Sequence, residues 1–88
     1  MRVLIVKDHP HTSAVLVEAL MFDGYDVGVA TTYEEGRQLL LPGTWDVVVS
    51  DMRLPGGSGT ELAAMAREMG VQCLVVAGHP EDFQPLEA

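Results

Sequence analysis

Basic residues are scarce in this chain. Five Lys and Arg stand against thirteen Asp and Glu, for a formal net charge of −8. Direct contact with a nucleic-acid backbone needs clustered Lys and Arg, so no nucleic-acid partner is expected. A single cysteine, Cys73, excludes an intramolecular disulfide, and its place in an apolar run reads as a packed thiol. No stretch approaches the roughly eighteen apolar residues of a membrane span. The N-terminus runs Met-Arg-Val-Leu-Ile-Val-Lys into Asp8 with no cleavage pattern of a signal peptide, which makes the cytoplasm the expected compartment. Internal repeats, low-complexity segments and linkers are also missing.

What is present is largely apolar. Hydrophobic residues make up 48% of 88 positions, and the mean hydropathy is +0.19. A chain of this length forms one domain at most and buries roughly two-thirds of the surface its unfolded form exposes. Either the core is dense or some apolar surface is meant for another chain.

Apolar runs alternate with helical patterns. Val3–Val6, Tyr25–Ala30, Asp46–Ser50 and Gln72–Ala77 read as strands, the first being wholly apolar, as suits a strand buried on both faces. Between them, helices are expected near residues 10–23, 33–41 and 58–69. Pro10 opens the first and Gly24 ends it. Thr32-x-x-Glu35 and Ser58-x-x-Glu61 are capping boxes for the other two. Pro42-Gly43 and Gly70 stop them, and His79-Pro80-Glu81 could begin a fourth. This alternation predicts an α/β fold with a parallel sheet, right-handed crossovers and helices on both faces.

Two carboxylates fall at strand tips. Asp8 follows the first strand, and Asp51 follows the third and leads into the turn-rich Met52–Gly59 segment. In an open α/β sheet, chemistry collects beyond the C-terminal ends of the strands at the topological switch point. With the flavodoxin-like order 2-1-3-4, Asp8 and Asp51 rim one crevice. Paired carboxylates beside a carbonyl-bearing loop suit Mg²⁺, which wants oxygen ligands.

In Val3-Leu-Ile-Val-Lys-Asp8-His-Pro10, Asp46-Val-Val-Val-Ser-Asp51-Met-Arg-Leu-Pro55-Gly-Gly-Ser-Gly59 and Leu74-Val-Val-Ala-Gly-His79, the sequence resembles a response-regulator receiver domain. The resemblance spans the chain, and the segment from Asp51 to Gly59 is its most specific part. It implies that Asp51 is the phosphoacceptor of a two-component phosphorelay, taking a phosphoryl group from a sensor histidine kinase or a phosphotransfer protein. It also implies a Mg²⁺ held by Asp8, Asp51 and the main-chain carbonyl of Arg53. Residues 1–88 then read as a single receiver-like domain, incomplete at the C-terminus, with the fifth strand absent.

Three departures from the family pattern bear on that chemistry. The family's first strand ends in two acids, and here the first of them is Lys7. The switch hydroxyl at the end of strand four is replaced by Ala77. The family's fifth strand, with its lysine, has no counterpart in this sequence. Mg²⁺ loses an anionic anchor and meets a cation instead, and a unit charge at about 4–6 Å and an effective dielectric near 20 is worth roughly 3–4 kcal/mol before screening. Binding is therefore expected to be weak and phosphotransfer impaired. Lys7 either pairs with Asp51, taking over part of the missing lysine's role, or stands as a solvated surface lysine.

Other readings of the same residues are weaker. His9, His11 and His79 lie near strand-to-helix turns but lack the tight spacing of a transition-metal site. Gly56-Gly57-Ser58-Gly59 lacks the Lys-Ser/Thr of a nucleotide-binding loop and reads as flexible turn chemistry. An aspartyl-nucleophile phosphohydrolase generally wants a second acid two residues on, where this chain has Arg53, so no enzyme is expected. A pseudo-receiver that acts as an interaction or dimerisation module stays open beside the working phosphoacceptor. Strand four would present an unprotected apolar edge, and Val15, Val17, Leu20 and Phe22 supply an open face on helix one. These predict a homodimer, with residues 71–86 in or beside the interface.

Overall fold

A computed structural model of the chain describes residues 1–8 and 10–76, with the side chains of residues 10–12 left aside. Four parallel strands form the sheet: β1 (Arg2–Val6), β2 (Asp26–Ala30), β3 (Val47–Asp51) and, last in the chain, β6 (Gln72–Val76). Their order is β2-β1-β3-β6, the flavodoxin-like 2-1-3-4 arrangement expected. Between them run α1 (Pro10–Phe22), α2 (Tyr33–Leu40) and α3 (Gly59–Glu68), each within one residue of the expected bounds. The end of strand four at Ala77, the segment from Gly78 to Ala88 and His9 lie outside the described residues.

Burial follows position in the sheet. Central β1 and β3 are the most enclosed, with Leu4, Ile5, Val6 and Val48 fully buried. One face carries the main core, where Leu4, Val6, Ala30, Trp45 and Val48 meet Leu40, Leu62 and Ala66. The outer strand β6 is only half covered. Cys73 packs against that core, whereas Leu74 and Val76 are 51% and 37% exposed. Among the described strands, β6 pairs with β3 alone.

Both capping boxes form, each with a variation. The Thr32 hydroxyl accepts from the Glu35 N–H at 3.1 Å, but the Glu35 carboxylate reaches back to the Thr31 N–H at 2.8 Å rather than to the cap residue itself. At α3, the Ser58 hydroxyl accepts from the Glu61 N–H at 3.3 Å and donates to the Glu61 carboxylate at 3.2 Å.

Pro55–Gly56 forms the expected turn, and the residues on either side of it are paired. Arg53–Leu54 (β4) and Gly57–Ser58 (β5) pair as a two-stranded antiparallel ladder. Tyr33 braces it: its N–H donates to the Pro55 carbonyl at 3.0 Å, and its ring lies where a side chain on Gly57 would have to go. At the opposite end of the sheet, the Arg2 guanidinium lies 4.4 Å from the Trp45 ring centroid, and the Arg2 N–H donates to Asp46 Oδ2 at 2.7 Å. Trp45 sits directly over Gly28, leaving no room for a β-carbon there.

Candidate functional site

Strand register builds the site. In the parallel pair β1–β3, Val6 lies opposite Ser50, so the next row sets Lys7 beside Asp51. Residues in one row of a parallel ladder point to the same face, and the side chains of Lys7 and Asp51 therefore converge. The Lys7 N–H donates to the Ala30 carbonyl of β2 at 3.0 Å, which extends β1 by one residue and fixes the lysine's position. Lys7 Nζ then reaches Asp51 Oδ1 at 2.7 Å. Lys7 thus pairs with Asp51 rather than standing as a solvated surface lysine.

The pair is enclosed. Asp51 is 1% exposed and Lys7 9%. Removing two charges from water costs several kcal/mol per ion, and only close, well-oriented pairing offsets that cost. The main chain of Asp51 is held as firmly as its side chain. Its carbonyl accepts from the Ser50 hydroxyl at 2.9 Å. Gly59, the first residue of α3, lies so close that any β-carbon there would collide with that carbonyl. The Gly59 N–H donates to the Met52 carbonyl at 2.8 Å, and the Met52 N–H donates to the Val76 carbonyl at 2.8 Å. Gly59 closes the Asp51–Gly59 segment that sequence marked as most specific, but its close approach to the Asp51 carbonyl was not anticipated, and Ser50 was given no role from sequence.

Asp8 follows the same end of β1, half-buried, next to the strand that carries Asp51. The two carboxylates thus lie at one end of neighbouring strands, as expected. Arg53 is exposed on β4, two residues past Asp51. Ala77, His9 and His79 fall outside the described residues, and so does the side chain of His11.

Over residues 3–88 the sequence matches the response regulator receiver domain family. The chain belongs to that family. Among curated relatives, this receiver domain is 34% identical over 77 residues to the transcriptional regulatory protein DltR of Streptococcus agalactiae. That match covers 86% of this chain and 34% of DltR, so the chain spans about a third of its relative's length. Among solved structures, response regulator TrrA of Thermotoga maritima, in complex with Mg²⁺-BeF, superposes with a TM-score of 0.81 at 29% identity, covering 97% of this chain and 76% of that one. A chain in the complex of histidine kinase ThkA with TrrA superposes at 0.80 with 27% identity, covering 99% and 73%.

Whether this receiver domain's own residues suit Mg²⁺ is a question of donor atoms. The ion requires oxygen ligands in near-octahedral geometry. Here Asp51 Oδ1 already holds an ammonium group, on a lysine that stands where the receiver resemblance implies a second acid. No group of three or more His, Cys, Asp or Glu suited to a metal forms among the described residues. As folded, a divalent cation at Asp51 would have to compete with the Lys7 ammonium for the Oδ1 oxygen.

Proposed function

We propose that this receiver domain takes part in a two-component phosphorelay by accepting a phosphoryl group on Asp51, with reduced efficiency. The observation that carries the reading is the Asp51 carboxylate at the C-terminal end of β3, held at 2.7 Å by the Lys7 ammonium. A carboxylate oxygen attacks the phosphorus of a phosphohistidine, the P–N bond breaks, and the imidazole leaves. The acyl phosphate carries close to two negative charges where the carboxylate carried one, and Lys7 is in place to offset part of them. The efficiency is low because the carboxylate is covered and already engaged. A Mg²⁺ at Asp8, Asp51 and the Arg53 carbonyl would have to compete with the Lys7 ammonium, which makes that site weak.

The donor in this reading is a sensor histidine kinase or a phosphotransfer protein. Its support is the family membership together with the ThkA–TrrA complex of a similar fold. The role is signalling rather than turnover of a substrate. Incubation with an acyl phosphate, read by intact mass, tests the reading. The expected result is slow gain of one phosphoryl group by wild type and none by Asp51→Asn.

A second reading draws on the same ion pair. If the Lys7–Asp51 contact stays closed to donors, the domain is a phosphorylation-independent interaction module, and wild type gains no mass. Self-association fits either case. We place a homodimer contact along β6, where Leu74 and Val76 are exposed on a strand with one described neighbour.

A further inference from the structure

We propose that Lys7 is the resident cation of this site: its ammonium takes the place of a divalent metal at Asp51, and phosphoryl transfer to Asp51 proceeds without one. This rests on Asp51 being the acceptor.

Three features of the site carry the inference. Lys7 Nζ is 2.7 Å from Asp51 Oδ1, and the two side chains are 11% and 2% exposed, so the positive charge is inside the site rather than above it. The Lys7 backbone is bonded to Ala30 of β2 while Val6 is in register with both Ala30 and Ser50, so the ammonium is delivered by the sheet itself. A metal ion entering beside Asp51 would meet this unit charge at about 4–6 Å, which at an effective dielectric near 20, and with screening by solvent and salt, weakens its binding by at least on the order of a hundredfold.

The transfer balances without a metal. An Asp51 oxygen attacks the phosphorus of an acyl phosphate or a phosphohistidine. The P–O or P–N bond breaks, and its electron pair leaves with the carboxylate or with the imidazole, which takes up a proton from water. Lys7 keeps its proton throughout and turns its charge toward the new phosphoryl oxygens. Nothing is oxidised or reduced.

The test uses acetyl phosphate, with intact-mass time courses of the full chain in EDTA and in Mg²⁺. Wild type should be modified at equal rates in both. Lys7→Met should slow by on the order of a hundredfold in either buffer, as expected for loss of a preorganised charge. Lys7→Asp should be modified only with Mg²⁺. In parallel, calorimetric titration with Mg²⁺ alone should show Lys7→Asp binding on the order of a hundredfold more tightly than wild type. Circular dichroism of each variant checks that it is folded. A wild type that requires Mg²⁺ overturns the proposal, and so does equal Mg²⁺ affinity in wild type and Lys7→Asp. Absence of any mass gain in every protein and buffer would mean that the acceptor reading has failed. The titration then decides alone whether Lys7 holds the cation's place.

Discussion

Lys7 and Asp51 are 44 residues apart in sequence and share a single hydrogen-bonded ion pair inside the domain. Breaking it from one side leaves a charge buried without compensation. Lys7→Met should therefore destabilise the fold by roughly 3–5 kcal/mol, while Lys7→Met combined with Asp51→Leu should recover most of the loss. Urea unfolding of the two single variants and the double variant checks this, and additive losses would contradict it. Cys73 supports a smaller prediction. Burial pushes its thiol above the ordinary range, so less thiolate is present at neutral pH than in an unfolded chain. Alkylation by iodoacetamide should be several-fold slower for the folded protein than in urea, on the order of the change in thiolate fraction. Sequence placed both acids at strand tips because each follows an apolar run, Val3–Val6 before Asp8 and Val47–Val49 before Asp51. Whether Lys7 met Asp51 or water stayed open, because that depends on which row of the β1–β3 ladder it occupies, and register is a property of two strands together.

At the scale of elements, the segment between β3 and α3 is tied at several points. The Asp51 carbonyl is pressed against Gly59, Tyr33 braces Pro55 and Gly57, and Ser58 caps α3. Gly59→Ala should force the strand tip and the helix start apart and cost about 1–3 kcal/mol, as overpacking does. Thr32→Ala should cost about 1 kcal/mol through the lost cap of α2 alone. Thermal unfolding measures both. Only Gly59→Ala should also perturb backbone amide shifts around Asp51. The helices and their caps were legible in sequence because capping residues and apolar spacing agree. The β4–β5 ladder was not, since two-residue strands carry no periodicity and Gly-Gly-Ser-Gly is compatible with any turn.

For the whole molecule, the two faces of the sheet are unequally served. Helices α2 and α3 close one face over the main core, while α1 leaves Val15, Met21 and Phe22 exposed and β6 presents Leu74 and Val76. A homodimer joined through β6 predicts twice the monomer mass by light scattering at micromolar concentration. Leu74→Lys should shift it to monomer without lowering stability, and a wild-type monomer would exclude the contact. Among the described residues, no helix is long and apolar enough to cross a membrane. The strand order was legible from alternation and from the two acidic tips, whereas the outer surface of β6 depends on what lies against it.

Trp45 is the chain's single tryptophan, clamped between the Arg2 guanidinium and the backbone at Gly28. It stands six residues before Asp51, roughly 20 Å away along an extended strand. Its indole touches the start of β1 at Arg2 and the middle of β2 at Gly28 while belonging to the approach to β3, so its emission reports whether three strands are joined. Phosphoryl chemistry at the far end of the sheet should leave that emission unchanged. The molecule thus carries an optical gauge of folding that is blind to the state of its acceptor, and any fluorescence change on adding a phosphodonor would register a rearrangement of the sheet itself.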